Sequence, residues 1–375
     1  MITTAFLIGN LNKEHGGAQQ LLYNICSSLP NKEFDITVYY MFGEGTFQKQ
    51  FERGGVNVVP LNSKSNYDIR TFFGLVNRLR KQRPDILHTN SPISGAWGRV
   101  AGQMAGVENI ISTEHSVHTG YGPLTRYVNG LTLPLANVAV GVSHSVTRSF
   151  HDWERILLSS TTEQYTIQNG VDVQKIESQF ENCESALSTH SPFSLNDTII
   201  GTVGRLAEPK GIEYLVRSLP LVKQEYPQAK LLIVGGGPRR QKLEQLGEQV
   251  GVDDSIHFSG YVSNVYPLLP NFTVAAFPSL WEGFGLAPVE TMVAEVPIVA
   301  SEIDTFEEVI GDAGMLVPPK DPAALAEAIT SLLDDQDRRC ELGARGYDRA
   351  IERFSITNTV NAYAGLYRDL MATDA

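Results

Sequence analysis

Short apolar runs recur along the chain, each followed by a longer segment whose apolar positions repeat at helical spacing. The first series reads strand at 4–8, glycine-bearing loop at 9–17, helix at 18–29 and strand at 35–40. Helix-like 69–82 and strand-like 85–88, 109–113 and 138–142 continue it. Strands that alternate with helices cannot pair through tight hairpins, so they require crossovers and a parallel sheet covered on both faces. The pattern fails across 178–196, a polar segment rich in Ser, Asn, Gln and Glu that contains Pro192. A second series then runs strand 198–203, helix 212–226, strand 230–234, the turn Gly235-Gly236-Gly237, helix 239–250 and strand 255–258. The pattern predicts an α/β chain of two doubly wound domains, 1–180 and 197–354, joined by a linker at 181–196. A last helix at 355–375 carries Tyr363 and Tyr367 at helical spacing. Ligands of such sheets bind beyond the carboxyl ends of the strands, so two facing domains would hold one ligand in a cleft.

With 42% hydrophobic and 19% charged residues, the 375-residue chain reads as ordinary globular protein. Its net charge of −12 argues against a nucleic-acid partner, because phosphate contacts need a basic face. Cys26, Cys183 and Cys340 are far apart and in no C-x2-C pair, which points to neither a disulfide framework nor a structural zinc site. The apolar run at 2–8 has no basic segment before it and reads as a first strand, not a signal peptide. No run approaches the roughly 20 apolar residues of a membrane span. A cytoplasmic location is expected.

The most informative stretch is Pro278-Ser279-Leu280-Trp281-Glu282-Gly283-Phe284-Gly285-Leu286-Ala287-Pro288-Val289-Glu290. It follows a strand-like run at 272–277; its glycines let backbone close on a ligand, and Pro288 favours the first turn of a helix. A helix N-terminus offers unpaired N–H groups and a positive dipole end, so the amides of Phe284, Gly285, Leu286 and Ala287 are candidates to hold a diphosphate. Glu282 and Glu290 bracket them, and ionised carboxylates accept hydrogen bonds from hydroxyls while repelling phosphate. A ligand with a diphosphate and hydroxyl pairs on either side of it is a nucleotide sugar. Departure of that diphosphate builds negative charge that a metal or fixed cations must meet. Gly204-Arg205-Leu206-Ala207-Glu208-Pro209-Lys210-Gly211 follows a strand and places two cations on one loop.

The Glu282-x7-Glu290 spacing around Gly-Phe-Gly resembles the donor motif of the retaining glycosyltransferases of family 4, which have the GT-B fold of two Rossmann-like domains facing across a cleft. The 204–211 loop is similar to the family's Gly-Arg…Lys-Gly segment. The resemblance implies that Arg205 and Lys210 grip the diphosphate, that Glu282 takes sugar hydroxyls and that Glu290 takes the ribose. Gly285, Phe284 and Leu286 would line the donor site, with Val262 near the base; the turn at Gly236, read from the residues themselves, suits either an approach to phosphate or base or a tight strand-to-helix turn alone. His15-Gly16-Gly17-Ala18-Gln19 resembles a Gly-Gly-Ala-Glu string with Gln19 in place of Glu, which places Gly16 and Gly17 near the reacting centre. His115, at the carboxyl end of a strand, matches a family histidine close to the donor sugar. His88 and His118 read as structural, since Asn90 stands where relatives often carry a second histidine. The final helix resembles the one that crosses back to the N-terminal domain.

Glu295 stands where the family usually has a glycine before Val-Pro; if that position is a left-handed helix cap, glutamate costs about 1–2 kcal/mol. Asp335-Gln336-Asp337 has the form of a metal-binding Asp-x-Asp but lies in a charged stretch before Arg338-Arg339. No metal and no cofactor are expected. The segment 69–83 is amphipathic with a basic end, suited either to covering a sheet or to docking on anionic lipid at about 1 kcal/mol per basic residue. The expected activity is metal-independent, retaining transfer of a hexose from a nucleotide sugar, UDP favoured over GDP, to a hydroxyl of a glycan or lipid-linked acceptor, peripheral on the inner face of the membrane. The alternatives are a nucleotide-sugar epimerase or hydrolase of the same fold and a non-catalytic subunit.

Overall fold

The computed structural model describes the chain except Lys13, Glu14, His15, Gly16, Tyr67, Ser160, Thr161, Asp374 and Ala375. It divides into an N-terminal unit, Met1–Gly170 with Ile356–Ala375, and a C-terminal unit, Val171–Ser355.

The N-terminal unit is built on β1 (Ile2–Asn10), β2 (Phe34–Phe42), β3 (Asn57–Pro60), β4 (Ile86–Asn90), β5 (Asn109–Glu114), β6 (Val138–Gly141) and β7 (Glu163–Thr166). They pair in parallel in the order β3-β2-β1-β4-β5-β6-β7. Thr4 to Ile8 are buried without a break, as expected of a central strand covered on both faces. On one face Phe6, Ile8 and Ile111 pack with Tyr363 and Tyr367 of the helix Ile356–Thr373; on the other Leu7, Leu87 and Ile110 pack with Leu75, Leu79 and Ala101. Each fully buried side chain of this kind contributes roughly 1.5–3 kcal/mol.

The C-terminal unit uses β8 (Ile199–Val203), β9 (Lys230–Val234), β10 (Ile256–Gly260), β11 (Val274–Phe277), β12 (Ile298–Ser301) and β13 (Met315–Val317), again all parallel, in the order β10-β9-β8-β11-β12-β13. In each sheet the chain runs outward through three strands and then returns to the other side of the first, which makes switch points at β1/β4 and at β8/β11.

The stretch 181–196 is not a free linker. It carries the helix Cys183–His190, whose Leu187 is 2% exposed, and Asn271 Nδ2 donates to Cys183 O at 3.2 Å. Upstream, Tyr347 OH donates to Glu177 Oε1 at 2.6 Å, so the chain joins the C-terminal unit at Val171, before the expected boundary at 180. One buried leucine and two side-chain hydrogen bonds are too weak a signature to show in a polar composition. Among the described residues no helix is long and apolar enough to cross a membrane.

Candidate active site

The loops after β8 and β11 leave neighbouring strands at the switch point of the C-terminal sheet. Two close contacts seam them together. Gly211 has φ +58°, and a Cβ there would lie 2.0 Å from Pro278 O, so both backbone conformation and space demand glycine. Next to it, Leu280 N–H donates to Pro209 O at 2.7 Å.

Across this seam Lys210 Nζ forms an ion pair with Glu282 Oε1, the two side chains being 28% and 12% exposed. Ser279 Oγ donates to the same carboxylate oxygen at 3.0 Å, and Thr305 Oγ1 donates to Glu282 O at 3.0 Å. Glu282 is therefore fixed from three elements. Both side-chain contacts fall on Oε1, so Oε2 is the oxygen placed to accept further hydroxyls. Arg205 is exposed on the same loop as Lys210.

The glycine turn after β9 braces this loop from the other side. Leu206 N–H donates to Gly236 O at 2.9 Å, and a Cβ on Gly235 would meet Gly204 O at 1.9 Å. Arg239, just beyond the turn, pairs with Glu213 and lies 3.4 Å from Glu208. Val262 follows β10 and is partly buried.

Gly285 has φ +87° and opens the helix Leu286–Val293 with no side-chain cap, which leaves the first amides of that helix to an external acceptor. Leu286, its first residue, is partly exposed. Phe284 is different: its ring is buried and stands edge-on to Phe354 at 5.4 Å, so its side chain anchors the loop and only its main chain can meet a ligand. Glu290, on the following turn, accepts a hydrogen bond from Tyr266 OH at 3.3 Å. Burial raises the Glu290 carboxyl to about 7, against the opposing effects of the Tyr266 hydrogen bond and the Lys175 charge. Burial likewise pushes the Tyr266 phenol up.

In the N-terminal unit, His115 sits just beyond β5 with Nε2 3.0 Å from Asn90 Oδ1 at the end of β4. Burial lowers it to about 4, only partly offset by Glu114, so it is neutral at pH 7. Gly17 opens the helix Gly17–Ser28, and Gln19 Nε2 donates to Asn10 Oδ1 at 3.0 Å. Gly16 and His15 lie outside the described residues. His88 is a core group: Nδ1 is 2.6 Å from Tyr367 OH and Nε2 2.7 Å from Thr113 Oγ1, and burial drives it down to about 3.

Asp335 has a structural task, with Oδ1 capping Arg338 N at the start of the helix Gln336–Phe354. Glu295 holds φ +54° after the helix Leu286–Val293, and its carbonyl is so close to Gly343 that a Cβ there would lie 2.2 Å away. The left-handed cap is therefore real and occupied by glutamate. Sequence reasoning gave no role to Ser279, Tyr266, Thr305 or Arg239. Ser279 and Arg239 flank motifs and could have been found; Tyr266 and Thr305 reach the site from separate elements.

Residues 197–335 match the family model for glycosyl transferases group 1, and residues 15–175 match that for glycosyltransferase family 4. The chain belongs to this glycosyltransferase family. It is 26% identical over 331 residues to N-acetyl-alpha-D-glucosaminyl L-malate synthase of Bacillus anthracis, covering 86% of this chain and 85% of the relative. It is also 23% identical to the capsular polysaccharide biosynthesis glycosyltransferase CapM of Staphylococcus aureus, over 86% and 87% of the two chains. Among solved structures, Anabaena HepE in complex with UDP and glucose superposes with a TM-score of 0.84 at 18% identity, covering 98% of this chain and 100% of that one. Sucrose-phosphate synthase from Thermosynechococcus elongatus gives a TM-score of 0.77 at 20% identity over the whole of both chains. The glycosyltransferase thus has the GT-B fold.

Proposed function

We propose that this glycosyltransferase moves a hexose from a nucleotide sugar, UDP favoured over GDP, to a hydroxyl of a glycan or lipid-linked acceptor, without a metal and with retention at the anomeric carbon. The observation that carries the reading is the Lys210–Glu282 pair at the β8/β11 switch point, on the loop that leads into the glycine-opened helix bearing Glu290. Lysine has three N–H donors; one meets Glu282, and the others are free to meet a diphosphate together with Arg205 and the amides of Leu286 and Ala287. Glu282 Oε2 takes sugar hydroxyls and Glu290 takes the ribose pair.

As the glycosidic bond breaks, charge grows on the diphosphate that these donors hold in this reading, and its oxygen accepts the proton of the attacking hydroxyl from the same face. In this reading both glutamates bind and neither is a covalent nucleophile. His115 serves the transfer as a neutral hydrogen-bonding group. The UDP and UDP-glucose in the HepE structures support the choice of nucleotide, and the name of CapM supports a surface glycan as acceptor. The helix Ile69–Gln82 exposes Ile69 and Phe73 beside Arg70, Arg80 and Lys81, which suits contact with an anionic lipid surface at the inner face of the membrane.

The test is a panel of UDP- and GDP-hexoses with a polyprenyl-linked or glycan acceptor in the presence of EDTA, with the product anomer read by NMR. Retained linkage with EDTA present is expected. An inverted linkage overturns the mechanism; free or epimerised sugar without acceptor favours the hydrolase or epimerase alternative, and failure to bind any nucleoside diphosphate favours a non-catalytic subunit.

A further inference from the structure

Arg99, Glu114, His118 and Glu154 form a charge cluster with almost no exposure in the N-terminal unit. His118 Nδ1 lies 2.9 Å from Glu154 Oε1 and Nε2 lies 3.3 Å from Glu114 Oε2. Arg99 Nη1 is 4.0 Å from Glu114 Oε1 and donates to Ser112 Oγ at 2.6 Å; Arg99 Nη2 donates to Asn129 Oδ1 at 2.7 Å. Asn129 Nδ2 in turn donates to Glu114 Oε2 at 2.8 Å. The network joins the end of β5 to the helices Pro92–Ala105, Pro123–Thr132 and Asp152–Leu158.

Two cations and two anions withdrawn from water are costly, and buried ion pairs seldom add stability over well-packed apolar groups. What this cluster does fix is the course of the chain from Glu114 to Tyr121. That segment is gripped at its start by Glu114, in its middle by His118, whose N–H also donates to Ser149 Oγ at 2.9 Å, and at its end by Tyr121 OH, 3.5 Å from Glu114 Oε2. Successive residues near a strand end point to opposite sides, so burying Glu114 turns its neighbour His115 outward to Asn90.

We propose that the Arg99–Glu114–His118–Glu154 network is a positioning device that holds the 114–121 loop, and His115 on it, in the geometry needed for sugar transfer. It rests on the reading that His115 serves the transfer. The groups facing His118 are Glu114 from β5, Glu154 and the Phe150 ring from the following segments, Tyr121 from its own loop, and Arg99 behind Glu114. Burial disfavours its cation, but hydrogen bonds to Glu114 and Glu154 outweigh this and raise it to about 9. The clamp is therefore closed at neutral pH and opens as His118 loses its proton.

The experiment compares wild type with Glu114→Gln, His118→Asn, Glu154→Gln and His115→Ala in the full chain, measuring kcat, donor KM, the Kd for UDP and the thermal melt of each. The expected result is a kcat about tenfold or more lower in the network variants, with the Kd for UDP within about twofold of wild type because the nucleotide contacts lie in the other unit. In wild type, kcat falls as pH rises through about 9, and His118→Asn loses this step. A normal kcat in folded network variants while His115→Ala is impaired overturns the proposal. A flat wild-type kcat from about pH 8 to 10 overturns it even where the variants do not fold. A normal kcat in His115→Ala instead overturns the role given to His115.

Discussion

Lys210 and Glu282 come from loops more than seventy residues apart in the chain yet form an ion pair, because β8 and β11 are neighbours in the C-terminal sheet. The cation and the carboxylate proposed for the leaving group and its sugar are thus one unit, and Ser279 shares the same carboxylate oxygen. Lys210→Ala removes the charge proposed to meet the departing diphosphate and one of the two side-chain contacts on Glu282 Oε1. Loss of roughly 10²–10³ in kcat is expected, with a similar direction for Arg205→Ala. Steady-state kinetics on the purified variants check this.

Gly211→Ala tests the seam itself. A methyl group would have to occupy the space of Pro278 O at a left-handed φ, so the two loops must separate. The variant should lose at least about 1–2 kcal/mol of stability and most of its affinity for UDP, read by denaturant unfolding and calorimetry.

Much of this was legible in the chain. Short apolar-rich runs such as 198–203 and 272–277 announced strands, and Glu282-x7-Glu290 with Gly-Arg…Lys-Gly marked the two loops that the sheet brings together. The pairing of Lys210 with Glu282 was not, since it depends on strand order, which local pattern does not encode. Tyr266 escaped for the same reason, reaching Glu290 from the turn after β10. The 181–196 stretch reads as a linker because its polar composition hides its one buried apolar residue, Leu187. Phe284 lay inside the motif, but only packing reveals that its ring serves the core.

Glu290, in its proposed contact with the ribose, would make donor binding pH-dependent. Its carboxyl is raised to about 7 by burial, and only the ionised form accepts both ribose hydroxyls, so the donor KM should fall as pH rises through about 7. Tyr266 stabilises the ionised form through its hydrogen bond. Tyr266→Phe therefore moves the KM step to higher pH, while Glu290→Gln abolishes it. Donor KM from about pH 5.5 to 8.5 in the three proteins reads this directly.

Glu295→Gly should stabilise the protein. Relief of the left-handed strain, about 1–2 kcal/mol, exceeds the added chain entropy of glycine, about 0.5–1 kcal/mol. The net gain of roughly 0.5–1 kcal/mol corresponds to a Tm rise of about 1–4 °C for domains of this size, with kcat unchanged, as checked by calorimetry and an activity assay.

Calorimetric titration of UDP onto wild type, Lys210→Ala and His115→Ala addresses the central claim, that the loops after β8 and β11 grip the nucleotide diphosphate. Wild type and His115→Ala should bind alike and Lys210→Ala at least about tenfold more weakly, the loss expected of one charge-assisted contact. Equal binding by Lys210→Ala, or no binding of UDP or GDP by wild type, would contradict it.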